Sequence, residues 1–277
     1  MKLKKGLSVL LAAVLLLSMG LLAGCGEKDD KDQGDAKPKL VMATNATFPP
    51  YEFVDDNGEF AGIDVEIAGL IADELGMELE IKNVDFGVIL GGVQSEKYDI
   101  GMAGMTVTDE RKEQVNFSST YAKAKQVVIV KADSTYASYE DFYTGYTTVD
   151  GEEVPAGVKD GIKIGVQQDT TGDIYSSDEP KNWGFGEDNV VRYKTGALAV
   201  EDLKQGRVTA VIIDNEPAKE FVKQNEGLKI LDGAYADEEY AIAVNKNDTE
   251  LLQKINDALK KLTDNGEIQK VVDKFIK

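Results

Sequence analysis

Arg111 closes the run Tyr98-Asp99-Ile100-Gly101-Met102-Ala103-Gly104-Met105-Thr106-Val107-Thr108-Asp109-Glu110. An apolar, strand-like stretch gives way there to a Gly–Thr loop, and Thr108 is placed to cap a helix whose third residue is Arg111. Helix N-termini carry unpaired N–H groups and partial positive charge, so a cation at that position is locally unfavourable. A guanidinium fork beside free backbone N–H groups makes a carboxylate receptor. The alternative is an arginine that pairs with Asp109, Glu110 or Glu113 on a solvated helix face.

Other chemistry is scarce. The chain has no histidine and one cysteine, Cys25. This excludes a serine–histidine triad, a cysteine–histidine pair and histidine-ligated zinc, and no cofactor or metal is expected. Catalysis by carboxylates alone stays open. Asp55-Asp56-Asn57-Gly58-Glu59 lacks the spacing and the distant glutamate of a calcium loop, and Asn57-Gly58 between Phe53-Val54 and Phe60 reads as a hairpin turn. Asp150-Gly151 reads the same way. A formal net charge of −19 argues against nucleic acid, whose phosphates demand basic patches.

The N-terminus carries an address. Lys2, Lys4 and Lys5 precede an apolar stretch from Leu7 to Leu22, which ends in Leu22-Ala23-Gly24-Cys25. A basic start, an apolar middle and small residues before the cut describe a secretory signal over residues 1–24. The stretch is short against the ~20 apolar residues of a spanning helix. Leu-Ala-Gly-Cys resembles the bacterial lipobox, in which the cysteine becomes the lipidated first residue of the mature chain. Residues 25–39 are too polar to bury a core and read as a flexible acidic tether. The expected address is extracytoplasmic, with contact to the membrane through the lipid anchor only.

From Leu40 onward strands alternate with amphipathic helices. Leu40–Thr44 is a strand, and Asp64 can cap a helix carrying Ile67, Leu70, Ile71 and Leu75. Strand Leu79–Ile81 and a glycine-weakened helix over Phe86–Gln94 follow. Gln126–Val130, Ile162–Val166, Val208–Ile213 and Tyr240–Val244 are strands. Leu251, Leu252, Ile255, Leu259 and Leu262 line one final helix, and Ile268, Val271, Val272 and Phe275 another. The alternation predicts an α/β fold with two sheets.

These residues also carry a family resemblance. From Leu40 to Ile276 the chain resembles the solute-binding proteins of polar amino acid ABC transporters, the bacterial extracellular solute-binding family 3. The matching pieces include Thr47-Phe48-Pro49-Pro50-Tyr51-Glu52-Phe53, Gly62-Ile63-Asp64-Val65-Glu66-Ile67-Ala68, Met105 through Arg111, Ile164-Gly165-Val166-Gln167, Thr170-Thr171 and Gly206-Arg207 followed by Val211-Ile212-Ile213-Asp214. Their order and spacing carry the assignment.

The resemblance implies a two-lobed periplasmic-binding-protein fold of type II, each lobe a central mixed sheet flanked by helices, joined by two hinge strands. Lobe 1 would be 38–124 plus 238–277, and lobe 2 125–237. It implies a monomer that binds a free L-amino acid with high affinity and delivers it to permease subunits of an ABC transporter, without being an enzyme. Arg111 and Thr106 would hold the ligand carboxylate, together with Thr170 and Thr171 of the second lobe. The Gly104 carbonyl and Asp214 would take its ammonium group. Phe48 and Phe86 would cover the side chain, with Asn45 and Gln168 nearby. Each has a plainer reading: Phe48 and Phe86 as core, Asp214, Thr170 and Thr171 as helix caps. Asn45 stands where basic- and glutamine-binding members often have aspartate, Ala103 replaces a frequent serine, and Asp169 a frequent glycine. Specificity is therefore open, with Glu52 or Asp169 as substitute counter-charges. Residues Tyr143–Gly161 read as an inserted surface hairpin. The rival function is an enzyme like the secreted cyclohexadienyl dehydratases, with Glu52 or Asp169 as its acid.

Overall fold

The computed structural model describes residues 37–276. The signal stretch, Cys25 and the tether up to Ala36 lie outside them. Among the described residues no helix is long and apolar enough to cross a membrane.

Two mixed sheets organise the chain. The first has five strands in the order Glu78–Asn83, Lys39–Thr44, Ile100–Gly101, Ala243–Val244, Asn116–Phe117. The first three run parallel, while Ala243–Val244 is antiparallel to both neighbours. The second sheet places Val190–Tyr193, Ile164–Gln167, Ala210–Asp214, Ala122–Lys131 and Leu228–Ile230 side by side, with Ala236–Tyr240 paired to the start of Ala122–Lys131. Leu40, Met42, Ile164, Val166 and Val211 are buried, as the near-continuous apolar runs of parallel strands require.

Two segments connect the sheets. Ala122–Lys131 pairs with Ala236–Tyr240 through its first half and with Ala210–Asp214 through its second. Beyond that pair, Tyr121 N–H donates to Tyr240 O and Ala241 N–H to Met105 O, which ties the return segment to the first sheet. The expected strand Tyr240–Val244 is therefore two, Ala236–Tyr240 and Ala243–Val244, because the chain changes partners at Ala241-Ile242.

The final helices, Thr249–Asp264 and Glu267–Phe275, bury Ile255, Leu259, Leu262, Ile268 and Val271 in the same core as Ile67 and Ile71 of helix Ile63–Leu75. Fully burying such a side chain is worth about 1.5–3 kcal/mol, so the last residues of the chain hold its first sheet.

Asp64 differs from its expected role. Gly62 is the N-cap residue, and the helix's first N–H groups are met by backbone: Ile63 donates to Pro50 O and Asp64 to Tyr51 O. The Asp64 side chain turns inward and is wholly buried. The expected helix over Phe86–Gln94 opens with a tighter turn at Phe86–Val88. Both hairpins form. Asp55 Oδ1 accepts from Asn57 N and Glu59 N in the first, and in the second Tyr146–Val149 pairs with Glu152–Pro155 around Asp150-Gly151.

Candidate functional site

Strand ends of both sheets meet at one small cavity. From the first sheet's side come Met102 to Thr106, the loop after Ile100–Gly101, all buried. Thr108 then caps helix Asp109–Gln114, its Oγ1 accepting from Arg111 N at 3.2 Å. The cap fixes where Arg111 leaves the backbone, and its side chain runs inward with 5% exposure.

Arg111 Nη1 donates to Thr106 O at 2.8 Å and Nη2 to Asp169 O at 3.2 Å, with the guanidinium over the Phe86 ring. The surface alternative is not realised: Asp109 pairs with Lys112, and among the described ion pairs Arg111 has none. A buried cation whose bonds go only to carbonyls keeps room for an anion.

The second sheet supplies the opposite wall. Asp214 ends strand Ala210–Asp214 and begins helix Asn215–Gln224, yet its side chain makes no capping bond. It is buried and accepts from the Tyr240 hydroxyl. Thr170 does cap helix Thr171–Ser177, accepting from Asp173 N, and Thr171 Oγ1 takes a bond from Gln126 Nε2 at 3.3 Å. Both threonines line the cavity as well.

Asn45 and Phe48 also line it, Phe48 with 8% exposure; Phe86 is half-buried beneath Arg111. Asn45 is heavily engaged. Its Nδ2 donates to Val84 O, while its Oδ1 accepts from Thr47 Oγ1 at 3.0 Å and from Gln167 Nε2 at 2.9 Å. Gly104 N–H donates to Asp64 Oδ2 at 2.8 Å, so the inward Asp64 sets the Gly104 loop.

Gln168 is a correction. It is exposed and off the cavity, whereas Gln167 lines it, because successive residues at a strand end point to opposite faces. Asp169 also stays outside. It adopts the left-handed backbone, φ 65°, that the frequent glycine would take, and its carboxylate packs against Gly87 at the cavity rim. Glu52 and Ala103 complete the lining. Glu52 pairs in register with Phe48 in the small antiparallel sheet, which turns it inward.

The cavity is rich in buried acid. Burial, then the charge of Asp64, holds the Glu52 carboxyl well above the usual range, and burial with the neighbouring Glu238 does the same for Asp214. Asp64 ordinarily titrates near 3.8 and is pushed up by burial to about 6, against the opposing bonds from Gly104 N–H and Tyr121 O–H. Between those values the folded chain holds more protons than the unfolded one, so stability falls as pH rises through the window and levels above it. Glu52 and Asp214, displaced in the same direction, extend the fall upward. For Asp64 alone the effect is about 3 kcal/mol. Urea midpoints are therefore expected to be higher near pH 5 than near pH 7, and less so in Asp64→Asn; a midpoint that climbs with pH would refute the assignment.

Residues 40–277 match the model of the bacterial extracellular solute-binding proteins, family 3. The chain belongs to that family. It is 31% identical to the arginine-binding extracellular protein ArtP of Bacillus subtilis (strain 168) over 98% of each chain. It is 29% identical to a probable histidine-binding protein of Neisseria gonorrhoeae, over 96% of this chain and 94% of that one. The solved structure of an ancestral arginine-binding protein bound to arginine superposes with a TM-score of 0.75 at 37% identity, covering 87% of this chain and all of the other. The fold is the two-lobed one of these proteins.

Proposed function

We propose that the chain captures a free polar L-amino acid outside the cytoplasmic membrane and delivers it to the permease subunits of an ABC transporter. The observation that carries this reading is a buried cation and a buried acid at one cavity. Among the described ion pairs the buried Arg111 has none, and the buried Asp214 side chain makes no capping bond. A zwitterion fits both, its carboxylate at Arg111 with Thr106, Thr170 and Thr171, its ammonium at Asp214 and the Gly104 carbonyl. The names of the arginine- and histidine-binding relatives agree with a polar ligand.

The lobes are 38–124 plus 238–277 and 125–237, meeting at the two connecting segments. Ligand groups drawn from both sides make binding a shift toward the closed arrangement. Side-chain choice falls to Phe48, Phe86, Asn45 and, in place of Gln168, Gln167.

Calorimetric titration with a panel of L-amino acids tests this reading; no heat with any of them would sink it. Asn45→Asp keeps the acceptor for Gln167 and Thr47 and adds negative charge at the end where the side chain lies. Its preference for lysine and arginine over glutamine is expected to rise on the order of tenfold, ~1.4 kcal/mol. An unchanged ranking would remove Asn45 from the specificity residues.

Residues 1–24 act as signal, 25–39 as tether, and Cys25 bears the lipid in an otherwise monomeric protein. One lipid group gives limited membrane affinity, so amino-terminal acylation adds a second. The native chain is expected to partition into detergent and Cys25→Ala to stay aqueous. Equal partitioning would rule the anchor out.

A further inference from the structure

Asp169 stands outside the cavity, yet its turn touches the opposite wall at two points. The turn follows strand Ile164–Gln167 and is tied down on its own side. Gln168 N–H donates to Tyr193 O at 2.9 Å, and Asp169 N–H to Asp173 Oδ2 at 3.0 Å. Asp173 is buried, and both its oxygens accept from Arg192 Nε, at 2.8 and 2.9 Å. Charge-assisted bonds of this kind are short and directional, so the turn rests on a stiff support.

Across the rim lies the tight turn Phe86–Val88 of the first wall. With Asp169 N–H turned back to Asp173, its carbonyl reaches out to Arg111 Nη2 at 3.2 Å, above Phe86. Its carboxyl lies against the bare backbone of Gly87. A Cβ at Gly87 would be 2.1 Å from Asp169 Oδ2, 2.9 Å from Cγ and 3.3 Å from Cβ. Among the described ion pairs Asp169 has none, so this contact is a matter of shape and not of charge. Two further contacts join the same walls: the buried Asn45 and Gln167 at 2.9 Å, and the exposed Lys194 and Asp85 at 3.7 Å. The exposed pair is worth little in water.

We propose that Asp169 is a positioning residue of the binding site: its carboxyl, seated on Gly87, is the stop that sets how far the two walls close, and at that stop its carbonyl aligns Arg111 for the ligand carboxylate. A guanidinium carries five N–H donors in one plane. The Thr106 and Asp169 carbonyls, one from each wall, fix that plane and leave the other donors to a carboxylate. A glycine at position 169 would supply the carbonyl without the stop. The inference rests on the amino-acid reading above.

Calorimetry with L-arginine and L-glutamine around a double-mutant cycle tests the stop. Gly87→Ala sets a methyl against the Asp169 carboxyl and is expected to weaken binding on the order of tenfold, by forcing that side chain off its rotamer or the walls apart. Asp169→Gly keeps the left-handed backbone and the carbonyl but clears the space, so adding Gly87→Ala to it is expected to change nothing. A loss that came from the Phe86–Val88 turn alone would persist in both backgrounds. An equal loss in both, or none in either, overturns the proposal. Cross-linking reads the same contact without calorimetry. In Cys25→Ala, the pair Gly87→Cys and Asp169→Cys brings two Cβ atoms near the about 3.8 Å of a disulfide. The bridge is expected to form under mild oxidation, and protein bridged in the presence of radiolabelled L-arginine or L-glutamine to hold the amino acid through dialysis until reduced. No bridge, or release from the bridged protein as fast as from the reduced one, refutes the stop. If neither amino acid gives heat and the bridge still forms, the amino-acid reading is what fails and the stop stands.

Discussion

Arg111→Ala is expected to weaken every amino acid that binds by about 2–5 kcal/mol, roughly thirtyfold to several-thousandfold, without reordering them. The size follows from burial. Arg111 is 5% exposed and spends its bonds on carbonyl oxygens, so an entering carboxylate supplies its missing counter-charge. Truncation leaves that carboxylate desolvated and unpaired. The order of ligands is preserved because the group Arg111 meets is common to all of them. Asp214→Ala is expected to act alike at the ammonium end. Calorimetry of both variants against one panel decides the matter. A wild-type affinity in Arg111→Ala would place the site elsewhere, and a changed ranking would make Arg111 a reader of side chains.

Gly62→Ala acts on folding. Gly62 has φ 121° and ψ 174°, a region essentially reserved for glycine. A Cβ there would lie 2.2 Å from the Tyr51 carbonyl oxygen and 2.9 Å from that of Pro50. Both carbonyls accept from the first N–H groups of helix Ile63–Leu75, so backbone on each side of the clash is held in place. Relief requires breaking the helix start, and with it the path by which Asp64 holds Gly104. The cost is expected to be about 3 kcal/mol or more, a fall of at least ~6 °C in Tm for a chain of this size. Thermal unfolding by circular dichroism measures it. A Tm unchanged from wild type would mean that the Pro50–Tyr51 segment yields freely and that the geometry at Gly62 is not needed.

Much of this protein is written locally. Thr108 and Arg111 are three residues apart, so the cap and the placement of the guanidinium follow from helix geometry alone. The α/β alternation, the two hairpin turns and the apolar faces of the last helices are likewise short-range patterns, set by periodicity and turn chemistry. Asn45, Phe48, Phe86, Gly104, Thr106, Arg111, Thr170, Thr171 and Asp214 all line the cavity.

What only the tertiary structure decided depends on partners far apart in the chain. Which of two adjacent glutamines turns inward rests on where strand Ile164–Gln167 stops pairing, and Gln167, not Gln168, meets Asn45. Asp64 looks like a helix cap in sequence because its carboxylate is one residue inside a helix start. It is buried instead because the Pro50 and Tyr51 carbonyls already satisfy those N–H groups while Gly104 and Tyr121 offer it donors. Glu238 sits in Asp237-Glu238-Glu239, which reads as a solvated acidic run. Pairing with Ala122–Lys131 alternates those residues between water and interior, and only Glu238 of the three is buried. Sequence states which groups can cap, turn or pair, since those choices are made between neighbours. Whether a carboxyl faces water or the interior is settled by strands that meet only when the chain has folded.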